Sequence, residues 1–404
     1  MAGQPLMSMD DALAQMLASA TPVSDIETVP LNATHGRVLA CDYRVPGDVP
    51  PADNSSVDGY ALALEDLVAV QPLPVSGRLP AGAAPTPLPP GTAVRIFTGS
   101  EIPSGANAVV MQEDVERSDD RIVVRTQVTA GQNIRRRGQD LAKDAVALTE
   151  GTLIRPQEMG LLASLGENEV RVRRRLRVAV MCTGDELVEP GIPLAPGQIY
   201  NTNQFMLTGL LTQAGCELTY YETVKDDREG TRAAFARAAG QADVIITSGG
   251  VSVGEEDHVR VVLEESGELA LWRMAIKPGK PLAFGNYDGT PFIGLPGNPA
   301  SVLVCFLMIA MPYLRARQGR HTLKPRGVQL PAGFEVSSTS IRREFLRVRR
   351  EGEPGDTRVA AFANQNSGVL SSACWGDGLA VVPENTRVTP GDPVLYYSFE
   401  ELLS

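Results

Sequence analysis

The chain has 404 residues, longer than one ordinary domain, and at about 150 residues per domain it has room for two to three. Its net charge of −11, from 37 Lys and Arg against 48 Asp and Glu, argues against general affinity for nucleic acid or an anionic membrane. Five cysteines with no C-x-x-C pair fit a reducing, cytoplasmic setting, and with only three histidines beside them they make a His/Cys zinc site improbable.

Residues 1–11 show no basic start followed by an apolar core, so no signal peptide is expected. Residues 8–19 read as a helix with Ser8 as cap, acids in the first turn and Leu13, Met16 and Leu17 at helical spacing. Short apolar runs then alternate with turn residues over 29–45, and Pro46, Pro50 and Pro51 mark a boundary near residue 50. Between 53 and 140 the pattern is β, with short strands expected at 92–97, 108–112 and 121–126 and an extended, Pro- and Ala-rich loop at 79–91. Residues 153–165 return to helical spacing. Arg171, Arg173, Arg174, Arg175 and Arg177 follow and read as a solvated strand edge or linker.

From 177 to about 324, β-runs alternate with helical segments: 178–181 before 204–214, 218–224 before 231–239, 244–247 before 259–265, and 291–295 before 299–314. That alternation predicts an α/β layer with a mostly parallel sheet covered by helices on both faces, which binds ligands outside the carboxyl ends of its strands. The apolar run 302–314 is shorter than the roughly 18 residues of a membrane span and reads as a buried helix. Beyond 325 short β-runs return, at 327–331, 344–350, 357–361, 378–382 and 394–399, predicting a small β-domain or barrel.

The stretch 243–257, D-V-I-I-T-S-G-G-V-S-V-G-E-E-D, is the centre of the α/β pattern. A buried strand there delivers Ser248, Gly249, Gly250 and Ser252 into a turn whose N–H groups and hydroxyls suit a phosphate or other oxyanion. Glu255, Glu256 and Asp257 follow, and carboxylates beside an anion site suggest a phosphorylated ligand handled with Mg²⁺. A plain strand-to-helix turn accounts for the same residues. Asp185 and Glu186 lie just past the first strand; capping of the next turn is the expectation for Asp185, metal or acid/base work for Glu186. Pro296, Asn298 and Pro299 follow the last strand, with Asn298 as helix cap and the helix amides facing the same mouth. Lys277 and Lys280 flank a Pro-Gly turn and could clamp a phosphate or molybdate-like oxyanion or be merely solvated. Asp58-Gly59 reads as a hairpin signal. No Walker A sequence, nucleophile elbow or H-E-x-x-H occurs.

Taken in order, seven stretches resemble the molybdopterin molybdenumtransferase family, the MoeA-type enzymes related to the gephyrin E domain. They are D-N-S-S-V-D-G-Y-A (53–61), F-T-G-S-E-I-P-S-G-A-N-A-V-V (97–110), R-R-G-Q-D-L (136–141), T-G-D-E-L (183–187), S-G-G-V-S-V-G-E-E-D (248–257), I-K-P-G-K-P (276–281) and L-P-G-N-P-A-S (295–301). The resemblance implies an α/β multidomain protein: a discontinuous N-terminal domain (1–50 with 141–176), a β-rich domain (51–140), an α/β sandwich domain of molybdopterin-binding type (177–326) and a C-terminal β-barrel-like domain (327–404). It further implies a homodimer with the active site between one subunit's α/β domain and the partner's β-rich domain. The implied reaction is Mg²⁺-dependent cleavage of adenylylated molybdopterin with insertion of molybdate, the pterin coming from a molybdopterin adenylyltransferase.

By the same resemblance Asp58 and Thr98 stand on the β-rich side with Asp140 nearby. Glu186, Asp226 and Asp257 line the α/β side, with Asp227 an alternative to its neighbour. Lys277 and Lys280 contact anion, Ser248, Gly249, Gly250, Ser252, Pro296 and Asn298 bind substrate, and Glu186, Asp140 and Asp257 are metal candidates. Val57 and Gln139 depart from the family pattern, and Gln139 weakens a metal role at that turn. Two rivals share the fold: a non-catalytic molybdopterin-binding scaffold, and a nucleotide pyrophosphatase using Mg²⁺ without molybdenum.

Overall fold

A computed structural model describes residues 6–67, 71–250, 258–353 and 355–404. The first helix is Met9–Ser19, capped by Ser8, whose hydroxyl accepts from the Asp11 N–H at 3.1 Å. Met9, Ala12 and Met16 recur on one face and bury it in the core of the α/β layer. The chain then pairs with a segment far along the sequence. Ile26–Pro30 runs antiparallel to Glu169–Arg173, and Tyr43–Arg44 to Val146–Leu148, around a core that includes Leu39, Tyr43, Ile154 and Leu162. Pro156 opens the helix Pro156–Ser164, where a missing N–H costs nothing, and Glu158 accepts from the Arg155 N–H at 2.9 Å.

Of the arginines between 171 and 177, Arg171 is exposed on its strand as expected of a solvated edge, but others are tied into the fold. Arg174 pairs with Asp25 at 2.9 Å and with Asp243 at 2.9 Å, Arg177 also holds Asp243, and Arg173 pairs with Glu150. Burial pushes the Asp243 carboxyl up, but the hydrogen bonds from Arg174 and Arg177 outweigh it and hold it below the usual range. These arginines tie the first layer to the residue that starts the central strand.

The β-rich unit is a six-stranded sheet in the order Ala108–Met111, Gly59–Leu62, Ala93–Ile96, Leu73–Leu79, Arg121–Val124, Val115–Ser118. Asp58-Gly59 is not a hairpin turn. Gly59 begins a strand, and a Cβ there would lie 1.9 Å from the Val110 carbonyl oxygen, so close strand approach demands the glycine.

The central sheet runs Glu217–Val224, Arg177–Thr183, Val244–Ser248, Thr290–Leu295, Pro281–Tyr287, Gly267–Arg273. The first four strands are parallel, and the last two form an antiparallel edge. Alternation sends Val178, Val180 and Ile246 to one core and Ala179, Met181 and Ile245 to the other, so both faces are covered. Thr202–Gln213 and Pro299–Arg317 lie on the first side, Arg228–Ala239 and His258–Ser266 on the second.

The helical run Pro299–Arg317 has 19 residues and a mean hydropathy of 1.6, so by length and composition it would span a bilayer. It is 89% buried inside the protein and is a core helix. Its middle, Phe306–Ala310, widens into a π turn just before Pro312, which has no N–H to return to the preceding turn.

The C-terminal sheet contains Arg343–Glu351, Gly378–Val382, Pro393–Ser398 and Val328–Pro331, with Arg358–Ala361 on the side of the first. Its edge is completed by Ile276–Lys277, which comes from the α/β segment and pairs in parallel with Arg343 and Glu344. The Pro-Gly turn between Lys277 and Lys280 is thereby clamped between two sheets.

Candidate functional site

A cavity of about 880 Å³ opens at the carboxyl ends of the parallel strands, where the switch-point rule expects a ligand. Thr183, Gly184 and Glu186 follow one strand, Ser248, Gly249 and Gly250 the next, and Pro296 to Pro299 the last; all line the cavity. Gly249 and Gly250 have φ of +89° and +63°, and a Cβ on either would approach Thr183 within 3 Å, so the turn is specific to glycine.

Not every expected donor is free. The Ser248 hydroxyl accepts from the Asn203 amide at 2.8 Å and donates to the Pro296 carbonyl at 3.3 Å, bracing one loop against the other. Among the described residues Asn298 makes no side-chain cap bond. Instead its carbonyl accepts from the Val302 N–H at 2.9 Å, and the Ala300 N–H is taken by the Ser367 carbonyl at 3.0 Å. The helix start is therefore partly closed to an anion. Among the described residues Thr183 Oγ1 and Asn203 Oδ1 are buried without a hydrogen-bond partner, which leaves polar capacity at the cavity wall for a ligand or water.

The acids sort by geometry. Asp226 lines the cavity, and burial first, then the neighbouring charges of Asp185 and Glu186, raise its carboxyl above the usual value. Asp227 is occupied as the cap of Arg228–Ala239, its Oδ1 accepting from the Gly230 N–H at 2.6 Å. Asp185 caps no turn of its own; its Oδ1 accepts from the Asp226 N–H at 3.2 Å and joins the two strand-end loops. Glu186 lines the cavity.

Cations come from the seam with the C-terminal sheet. Lys277, Lys280 and Arg342 line the cavity, together with Gln365, Asn366 and Ser367. The last three belong to a loop held by Arg347, whose side chain is fully buried. Arg347 donates to Ser372 Oγ at 3.0 Å and to the Asn366 carbonyl at 3.2 Å, and burial lowers its guanidinium to about 10. Arg342, Asn203 and the 365–367 loop carry no motif signal in the sequence; only the folded seam reveals them.

Asp58 and Thr98 form a separate pair. The Thr98 N–H and hydroxyl donate to Asp58 Oδ1 at 2.8 and 2.9 Å, holding that carboxyl below its usual value, and Arg95 adds to the effect. The guanidiniums of Arg78 and Arg95 both stack on the Phe97 ring, 4.7 and 4.9 Å from its centre. Neither this pair nor Asp140 lines the cavity of the same chain. Ser252 and Asp257 lie outside the described residues. Among the described residues no group of three His, Cys, Asp or Glu side chains is placed to hold a metal ion.

A parallel sheet opening onto carboxylates at its strand ends and cations at its seam with a docked β-sheet defines a multidomain α/β protein with a charged cavity at the switch point. The chain matches the MoeA N-terminal region (domain I and II) over residues 7–166, the probable molybdopterin binding domain over 179–316 and the MoeA C-terminal region (domain IV) over 329–399. It is 39% identical over 403 residues to the molybdopterin molybdenumtransferase of Haemophilus influenzae, covering 98% of this chain and 100% of that one. It is 37% identical over 387 residues to molybdopterin molybdenumtransferase 2 of Mycobacterium tuberculosis, covering 92% of this chain and 94% of that one. Among solved structures, the molybdopterin biosynthesis MoeA protein of Pyrococcus horikoshii OT3 superposes with a TM-score of 0.84 at 31% identity, over 98% of this chain and 100% of that one. The chain belongs to the molybdopterin molybdenumtransferase family.

Proposed function

We propose that this protein completes molybdenum cofactor by inserting molybdenum into molybdopterin, taking adenylylated molybdopterin and molybdate and releasing AMP. The observation that carries the reading is the composition of this cavity: Glu186 and Asp226 at the strand ends, Lys277, Lys280 and Arg342 at the seam. Cations are what a tetrahedral dianion and a phosphoanhydride require. Replacing molybdate oxygens by dithiolene sulfurs releases them as water, which needs protons. Asp226, with its carboxyl raised, would supply them.

The donor set also fits Mg²⁺, which favours one or two carboxylates plus substrate phosphates over a closed protein cage. Glu186 would hold it, with Asp257 the further candidate; when bound, the ion would neutralise charge on the anhydride. Asp58, Thr98 and Asp140 are read as the contribution of a second copy of the chain, in a homodimer whose four domains follow the bounds 1–50 with 141–176, 51–140, 177–326 and 327–404. A molybdopterin adenylyltransferase is the expected supplier, in the cytoplasm.

The test is reconstitution from purified protein, adenylylated molybdopterin, Mg²⁺ and molybdate, read by AMP release and by activation of a cofactor-free molybdoenzyme. Wild type is expected to do both, and Glu186→Ala neither. AMP release without activation would favour a pyrophosphatase, and binding without either would leave a scaffold.

A further inference from the structure

Lys277 enters the cavity already paired. Its Nζ lies 3.1 and 3.0 Å from the two carboxylate oxygens of Glu344, the residue opposite it in the parallel pairing of the seam. The two side chains are placed unequally. That of Lys277 is 46% exposed and lines the cavity; that of Glu344 is 10% exposed and is no part of the wall. Seen from the cavity, the carboxylate stands behind the ammonium.

Backbone pairing already fixes Lys277, since Ile276–Lys277 is a strand of the C-terminal sheet and the Met274 N–H bonds the Lys280 carbonyl at 2.8 Å across the turn. The carboxylate is not needed to place the main chain of the lysine. What it adds is charge. Lys280 and Arg342, the other two cations of the wall, make no ion pair among the described residues, so Glu344 offsets one of the three positive charges presented to a ligand. Three unpaired cations on the wall would grip a dianion more tightly, but tight binding of the ground state brings no gain in turnover when the oxyanion must be handed to an acceptor.

We infer that Glu344 is a built-in counter-charge that sets how firmly the cavity holds its oxyanion, loosening the grip at Lys277 so that the oxyanion can be passed on. This rests on the proposed assignment of Lys277, Lys280 and Arg342 to the oxyanion. In a half-exposed site, removing a unit charge one residue beyond a dianion is worth about tenfold in affinity.

The experiment is calorimetric titration of molybdate into the full-length wild type, Glu344→Gln, Glu344→Ala and Glu344→Asp, each checked by thermal melting. Glu344→Gln is expected to bind about tenfold more tightly than wild type, with the excess shrinking as salt rises, and Glu344→Asp to bind as wild type does. In the turnover assay Glu344→Gln lowers KM for molybdate and kcat together. Should the glutamine variant fold poorly, Glu344→Ala carries the same expectation. Affinity equal to or below wild type in a neutral variant that melts normally overturns the inference and makes Glu344 a brace. Absence of molybdate binding by wild type would instead remove the oxyanion assignment itself, and the inference with it.

Discussion

The Ser367 carbonyl accepts the Ala300 N–H at 3.0 Å, so a loop of the C-terminal sheet closes the first turn of the helix that follows the last parallel strand. The loop is set by Gln365. Its Oε1 accepts from the Arg347 N–H at 3.0 Å, and its Nε2 donates to the carbonyls of Arg347 at 2.9 Å and Phe362 at 3.0 Å. Arg358–Ala361 has already ended there, and the amide side chain stands in for the missing strand neighbour. Gln365→Ala is expected to cost about 1–3 kcal/mol in chemical denaturation, because it strands backbone groups. It should also weaken molybdate binding by loosening the wall formed by residues 365–367. A variant as stable as wild type would show that the loop holds itself.

Asp226 sets a pH dependence. Its folded carboxyl is raised by burial and by Asp185 and Glu186, so the folded state binds the proton more tightly than the unfolded one. The associated stability is fully present below the ordinary aspartate value of 3.8 and is lost as pH rises through the folded value. Asp226→Asn is therefore expected to melt higher than wild type at about pH 7 and to show no gain at about pH 3, while losing on the order of a hundredfold in turnover. Equal melting temperatures at neutral pH would mean that the carboxylate is not strained in the cavity.

Much of this site is visible in the sequence because its parts are local. A β-branched run ending in Ser248-Gly249-Gly250 specifies both a buried strand and a tight turn at its end, and three such strand ends converge wherever the sheet is parallel. What stays hidden is set by distance along the chain. Arg342 and Ser367 reach the cavity only because Ile276–Lys277 joins the C-terminal sheet, a pairing with no periodic signature over two residues. The antiparallel edge strands Gly267–Arg273 and Pro281–Tyr287 were likewise not distinguishable as a hairpin, since the lysine turn between them carries no short loop signal. Asp58-Gly59 misleads for a different reason: the dipeptide that favours a turn also suits a strand pressed against a neighbour. Ser248 lines the wall, but its hydroxyl is committed to Pro296, which only three-dimensional bracing between loops determines.

The turn between Lys277 and Lys280 depends on Gly279. Its φ is +107°, and a Cβ there would lie 2.5 Å from Cys305 Sγ, on the core helix beneath. Burial pushes the Cys305 thiol up to about 12, so it stays neutral and acts as a packing group. Gly279→Ala should cost about 1–3 kcal/mol from overpacking, with a further 1–2 kcal/mol or so of backbone strain. Cys305→Ala removes the sulfur but not the strain. In a double-mutant cycle the pair is expected to couple by about 0.5–3 kcal/mol, with the double variant more stable than the sum of the singles predicts. Strict additivity would show that the turn lifts away from the helix instead of clashing with it.

Asp58 and Thr98 are hydrogen-bonded to each other and stand apart from the cavity of their own chain. If a second copy completes each cavity, a dimer holds two composite sites, each with Glu186 from one subunit and Asp58 from the other. Two inactive variants, Asp58→Ala and Glu186→Ala, then complement when their subunits are exchanged. Half of the dimers formed by random mixing are mixed, and each mixed dimer has one site with both residues intact and one with neither. Activity is therefore expected to return to roughly a quarter of wild type in the reconstitution assay. Were Asp58 to act within its own chain, every mixed site would still lack one residue, and unfolding and remixing the subunits would restore nothing.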